Sequence, residues 1–189
     1  MSHGSAAGNF IFVRVPRTGS TTLLNYLTEE FTDLEARGYT HLSALRVRDL
    51  WPDEWENRHT FGTIRNPWEW LVSFYNAGIS VSPDPDIKEA WSGNPIQPPD
   101  MPGIHPGQRG NLSFPDWVRQ RQTTPCDWLF DGSKKLVDEV RRFEDVVPAF
   151  PLSSSAYPHA PYREWHDDDL AAYVADKCWR EIEIGGYTF

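Results

Sequence analysis

The stretch FIFVRVPRTGSTTLLNYL, Phe10 to Leu27, constrains this chain more than any other segment. Phe10 to Val15 is an apolar run rich in β-branched and aromatic residues and reads as a buried strand. It breaks at Pro16 and passes through Arg17, Thr18, Gly19, Ser20, Thr21 and Thr22 into a helical pattern with Leu23, Leu24 and Leu27 on one side. A strand, a short loop with glycine and hydroxyls, then a helix is an arrangement that aims free backbone N–H groups at an anion. Gly19 lets the backbone approach a phosphate closely, and Arg17 adds a permanent positive charge. The other reading is an ordinary turn capped by Ser20 or Thr21. The loop lacks both the first glycine and the lysine of the nucleoside-triphosphate motif G-x-x-x-x-G-K-[ST].

FGTIRNPWEWLVSFYNA, Phe61 to Ala77, repeats the pattern. Phe61 to Ile64 is a short strand, Asn66 an N-cap, and Pro67 suits the first helical position. Trp68, Leu71, Val72 and Tyr75 have the spacing of a core-facing stripe, with Ser73 on another face. Arg65 is left at the strand's carboxyl end, where α/β sheets usually bind ligands; its alternative is an ion pair with Glu69. Two such units favour a parallel sheet with helices on its faces.

Together these segments resemble the sulfotransferases that use 3′-phosphoadenosine 5′-phosphosulfate (PAPS). Pro16 to Thr21 is similar to that family's P-K-T-G-[GST]-[ST] loop, which cradles the 5′-phosphosulfate. Arg65-Asn66-Pro67 with Ser73 is similar to the R-[DN]-P motif and following serine that grip the 3′-phosphate. His41 to Ala44 followed by Asp53-Glu54-Trp55, then Arg142-Phe143-Glu144-Asp145, and the ending Tyr162-Arg163-Glu164-Trp165 through Asp167-Asp168-Asp169 to Gly186-Tyr187-Thr188-Phe189, resemble the carbohydrate-modifying, heparan-type branch. The resemblance implies an α/β, P-loop-NTPase-like three-layer fold with a central, mainly parallel sheet flanked by helices. It implies in-line transfer of a sulfuryl group from PAPS to a hydroxyl on a small molecule or carbohydrate, leaving adenosine 3′,5′-bisphosphate (PAP), with no metal. It also implies catalytic roles for His41, as general base, and Arg17; donor contacts from Arg17, Thr18, Gly19, Ser20, Thr21, Thr22, Arg65 and Ser73; and closure over the 3′-phosphate by Arg163. One departure is Arg17, where the family usually has lysine: the charge is kept, but a planar guanidinium cannot occupy the point an ammonium does. Two other readings are a P-loop small-molecule kinase, which would need a loop lysine and a Mg²⁺-binding acid at a strand end, and a nucleotide-binding domain with weak turnover.

An imidazole titrates near neutrality, which suits His41 for the base; the alternative is a turn or surface histidine. His59 and His105 are weaker candidates, and His159 and His166 flank Arg163 near the donor's nucleotide end. Among the nine tryptophans, Trp68 is explained as core, whereas Trp70 and Trp91 fall off the stripes and are candidates for acceptor stacking.

At 189 residues the chain suits one domain able to bury a core. Its net charge of -9 gives no general attraction to nucleic acid or anionic membrane, and argues against a highly sulfated polymer as acceptor. Cys126 and Cys178 are too far apart in sequence, with no partner cysteines, for a metal motif and read as buried or unremarkable thiols, a disulfide between them being the alternative. No apolar stretch resembles a signal peptide or membrane span, unlike the anchored Golgi members of the family, so a cytoplasmic protein is expected. Residues 1–8 read as a flexible end. Residues 80–112 hold seven of the sixteen prolines and read as a long loop, taken as an ordered cover over the acceptor side, with disorder as the alternative. Beyond it, Phe114 to Arg121 is expected to be helical, Leu136 to Val140 a strand, Glu144 to Phe150 a short helix, and Asp167 to Trp179 a helix carrying Leu170, Val174 and Cys178 on its buried face.

Overall fold

The computed structural model describes residues 2–38, 41–79, 112–121, 123–146 and 159–189. It is an α/β structure built on a mixed five-stranded sheet in the order β3-β1-β2-β4-β7. The strands are β1 (Ser2–Ser5), β2 (Phe10–Val13), β3 (Glu35–Arg37), β4 (His59–Ile64) and β7 (Glu139–Arg142). A separate two-stranded ribbon pairs β5 (Phe130–Asp131) with β6 (Lys134–Lys135) around Gly132.

β2, β4 and β7 run parallel, with Val13 beside Gly62 and Ile64 beside Arg142. β1 and β3 extend the β2 edge antiparallel. Within the five-stranded sheet two pairings are antiparallel and two parallel. The sheet is therefore mixed and not mainly parallel. The reason lies in the first residues, expected to be a flexible end: all of Ser2–Ser5 is buried between β2 and β3. Small polar residues give no hydrophobic signal, but their backbone groups complete the ladder on both sides. A hydroxyl reinforces the turn that follows, where Ser5 Oγ donates to Asp33 at 2.6 Å and accepts from the Gly8 amide.

Strand alternation divides the core. Phe10, Phe12 and Phe61 pack with Leu23 and Leu27 of helix α1 (Ser20–Glu30). Ile11, Val13, Val15 and Ile64 join a larger cluster that takes residues from α2 (Ala44–Leu50), α4 (Pro67–Ile79), α5 (Phe114–Gln120) and α7 (Asp168–Lys177). The short α3 (Pro52–Asn57) leads into β4. Gly62 leaves room for this packing: a Cβ there would run into the buried Leu129 side chain, which would have to shift.

The stripe of Trp68, Leu71, Val72 and Tyr75 is buried as the spacing predicts, and so are Leu170, Val174 and Cys178. Ser113 and Asp167 cap α5 and α7 through the amides of Asp116 and Leu170. The last long helix divides, however, with α7 ending at Lys177 and α8 (Trp179–Gly185) following. The strand expected over Leu136 to Val140 starts at Glu139, because the Asp138 carboxylate takes the Thr60 amide at 2.7 Å and closes the turn just before it. Helix α6 (Phe143–Val146) covers the start of the helix expected at Glu144; its expected end, residues 147–150, lies outside the described residues. The long loop with Trp91 and His105 also lies outside them, except for Leu112. Cys126 and Cys178 are free and buried. No helix among the described residues is long and apolar enough to cross a membrane.

Candidate functional site

The three parallel strands end on one side of the sheet. This places the turn after Val13, the Arg65 segment after Ile64 and the Phe143-Glu144 segment after Arg142 next to one another. Loops at the carboxyl ends of adjacent parallel strands are where open α/β sheets offer a ligand its backbone amides.

The first turn, Pro16 to Gly19, is bent by two left-handed residues, Arg17 at φ 62° and Gly19 at φ 69°. Gly19 takes this conformation freely, whereas Arg17 has a Cβ and is held there at a cost of about 1–2 kcal/mol. Gly19 occupies the N-cap of α1 with no side-chain cap hydrogen bond. Ser20 and Thr21 therefore do not cap the helix: Ser20 is its buried first residue, and the Thr21 hydroxyl accepts from Arg14 Nη2 at 3.1 Å. The opening amides of α1 (Ser20, Thr21 and Thr22 among them) keep the unfilled donor capacity of any helix start. Thr18 is turned inward. Its hydroxyl donates to the Val15 carbonyl at 2.9 Å and lies 2.7 Å from the Thr63 hydroxyl, binding the turn to β4. Thr18 can thus offer a ligand its backbone, not its side chain.

The second segment reaches the first. Arg65 Nη1 donates to the Arg17 carbonyl at 3.4 Å, and Arg17 donates to Ser73 Oγ from Nε at 3.3 Å and Nη2 at 3.1 Å. Ser73, buried on α4, is thus on the loop-facing side of that helix, away from its core stripe. The ion pair weighed against a ligand role for Arg65 also exists, with Nη2 2.7 Å from Glu69 Oε1. His159 Nε2 approaches the same oxygen at 3.3 Å. Arg65 lies over the Phe143 ring at 4.6 Å, and burial lowers its pKa against the raising influence of Glu69. Its Nε is buried without a hydrogen-bond partner.

His41 also takes a left-handed conformation, φ 65°. Its Nδ1–H donates to the Arg14 carbonyl at 3.0 Å. A carbonyl only accepts, so this contact sets the tautomer and leaves the lone pair on Nε2. Burial, followed by the charges of Arg14 and Arg17, lowers its pKa to about 4. Near neutral pH the ring is uncharged and ready to accept a proton, though a weak base.

Comparison with family models, curated proteins and solved structures found no match to this chain.

The other candidate residues have surroundings of their own. Arg163 is exposed and stacks at 4.9 Å over Phe189 and 5.5 Å over Tyr162. His159 joins the Arg65–Glu69 group, whereas His166 is buried, donates Nδ1–H to the Tyr162 carbonyl and packs on Phe114 and Phe189. His59 pairs with Glu139 at 3.0 Å at the start of β4. Five residues separate it from Ile64, about 17 Å at strand rise, so it is not a base for this site. Trp70 is fully buried and cannot stack on an acceptor; its indole N–H donates to the Pro16 carbonyl at 2.8 Å.

Two contributors were missed or seen only as part of a resemblance. Arg14 holds Thr21 and, through its carbonyl, His41. A lone cation inside the apolar run Phe10 to Val15 was its sequence signal. Glu144 accepts from the Asn66 amide at 2.9 Å through Oε1 and from the Tyr187 hydroxyl at 2.7 Å through Oε2. It thereby ties the end of β7 and the chain's last residues to the start of α4. Sequence separations of 78 and 43 residues hide both contacts. Among the described residues no group of three or more His, Cys, Asp or Glu is placed to hold a metal ion.

Proposed function

We propose that this protein is a sulfotransferase that moves a sulfuryl group from PAPS to a hydroxyl acceptor, on a P-loop-like three-layer arrangement of its α/β sheet. The observation that carries the reading is the 3.4 Å contact between Arg65 and the Arg17 carbonyl. It makes one site of two turns that resemble the phosphosulfate and 3′-phosphate motifs of that family. Two guanidiniums, the α1 amides and the Ser73 hydroxyl suit a doubly phosphorylated nucleotide better than a single anion.

In this reading the 5′-phosphosulfate lies against the loop amides and Arg17. The 3′-phosphate takes the weakly engaged Nη1 of Arg65, while Nη2 stays on Glu69. The acceptor oxygen attacks sulfur in line, the bond from sulfur to the phosphate oxygen breaks, and the acceptor proton passes to Nε2 of His41. The electron pair of the broken bond remains on the phosphate of PAP, where the Arg17 charge and the loop amides stabilise it. Arginine in place of lysine spreads that charge over a plane already shared with Ser73. An acceptor whose hydroxyl ionises easily suits a base as weak as His41.

Calorimetry with PAP, with ATP as comparison, tests the nucleotide, and transfer of labelled sulfate from PAPS onto an acceptor panel tests the reaction. Micromolar PAP binding with weak ATP binding and label on an acceptor is the expected result. ATP binding equal to PAP overturns the reading in favour of a kinase. PAP binding with no transfer to sugar, phenol or other hydroxyl acceptors leaves a nucleotide-binding domain.

A further inference from the structure

Arg17 carries a side chain in a conformation that glycine favours, so something must hold it there. Its neighbours are anchored on both sides. Thr18 is fixed to β4 through Thr63, and the Pro16 carbonyl is taken by the Trp70 indole at 2.8 Å. The Trp70 ring has no exposure and is itself braced: the Phe74 ring lies 5.3 Å away, and the Arg121 guanidinium lies 4.8 Å over Trp70, 4.0 Å over Phe74 and 5.1 Å over Trp117. Two further contacts to the turn, Arg17 to Ser73 of α4 and Arg65 to the Arg17 carbonyl, use groups that an incoming phosphate would compete for. The indole N–H is beyond a ligand's reach.

We infer that Trp70 is a positioning residue of this site: by holding the Pro16 carbonyl, its N–H keeps Arg17 left-handed and its guanidinium directed at Ser73, whether or not a ligand is bound. The structural part of this inference stands on the contacts alone; its consequence for the nucleotide rests on the proposed function.

The test compares the wild-type protein with Trp70→Phe, which removes the N–H and retains an aromatic ring, and with Phe74→Leu, which loosens the same packing but spares the hydrogen bond. The first readout is the rate of native-state trypsin cleavage after Arg17, which needs no nucleotide. Trp70→Phe is expected to raise it about tenfold, the factor one lost hydrogen bond supports, and Phe74→Leu to leave it within about twofold. The second is PAP affinity, expected to fall about tenfold in Trp70→Phe, with Arg17→Ala then costing less than it does in the wild type. An unchanged cleavage rate in Trp70→Phe, or an equal rise in Phe74→Leu, overturns the inference. If wild-type protein does not bind PAP, the nucleotide reading fails while the cleavage comparison still decides the role of Trp70. Should Trp70→Phe not fold, 3-benzothienylalanine in place of Trp70 keeps the bicyclic ring, lacks the N–H, and is read by the same two measurements.

Discussion

Acidification tests the environment assigned to His41. Its folded pKa is about 4 against an unfolded value of about 6.5, because burial opposes the charged ring. A depressed histidine pKa means that, between these values, the unfolded chain binds the proton and the folded protein does not. Stability from this group is therefore fully present above pH 6.5 and is lost as pH falls towards 4. The full difference of about 2.5 pKa units corresponds to about 3 kcal/mol, of which about 2.5 kcal/mol is lost between pH 7.5 and 4.5. Against a total stability of about 5–15 kcal/mol this is large, and it shifts a urea midpoint by about 1 M. His166, also lowered by burial, adds a loss of the same sign, while Glu181, raised by burial, opposes it. The low pKa of Glu139, about 2, acts below this window. The informative quantity is therefore the difference between wild type and His41→Asn, since asparagine tolerates the left-handed backbone at this position. Urea unfolding at half-unit steps from pH 7.5 to 4.5 should give a variant curve flatter than wild type by about 2.5 kcal/mol over the range. Parallel curves would show that the His41 ring is not buried uncharged, and the weak-base assignment would go with it.

Arg65→Ala should weaken PAP binding by about 1.5–3 kcal/mol, read by calorimetry; a change below about twofold would remove Arg65 from the 3′-phosphate. His41→Asn should leave PAP affinity near wild type and lower sulfuryl transfer by about 10²–10⁴-fold, and an undiminished rate would exclude it as the base. Tyr187→Phe removes the hydroxyl that donates to Glu144 at 2.7 Å; about 1.5–3 kcal/mol should be lost in urea unfolding, and no loss would mean that the chain's end does not support the start of α4. Thr63→Val leaves the buried Thr18 hydroxyl without its partner on β4, with an expected cost of about 1–3 kcal/mol measured the same way.

Local chemistry was legible where one short segment carries both cause and effect. The apolar run from Phe10, the Asn66-Pro67 helix start and the stripe from Trp68 to Tyr75 each follow from residues within one or two turns of each other. Chain order alone also put Arg17 and Arg65 at the ends of strands. What it could not supply was partners. That His159 joins the Arg65–Glu69 pair, that Trp70 serves the Pro16 carbonyl, and that the His41 ring meets the Arg14 carbonyl depend on elements distant in sequence being packed together. The mixed sheet has the same origin: Ser2–Ser5 carries no hydrophobic pattern and becomes a strand only because β2 and β3 present backbone groups to it. Periodicity and capping are properties of a segment, whereas charge state, burial and sheet direction belong to neighbours that only the folded chain brings together.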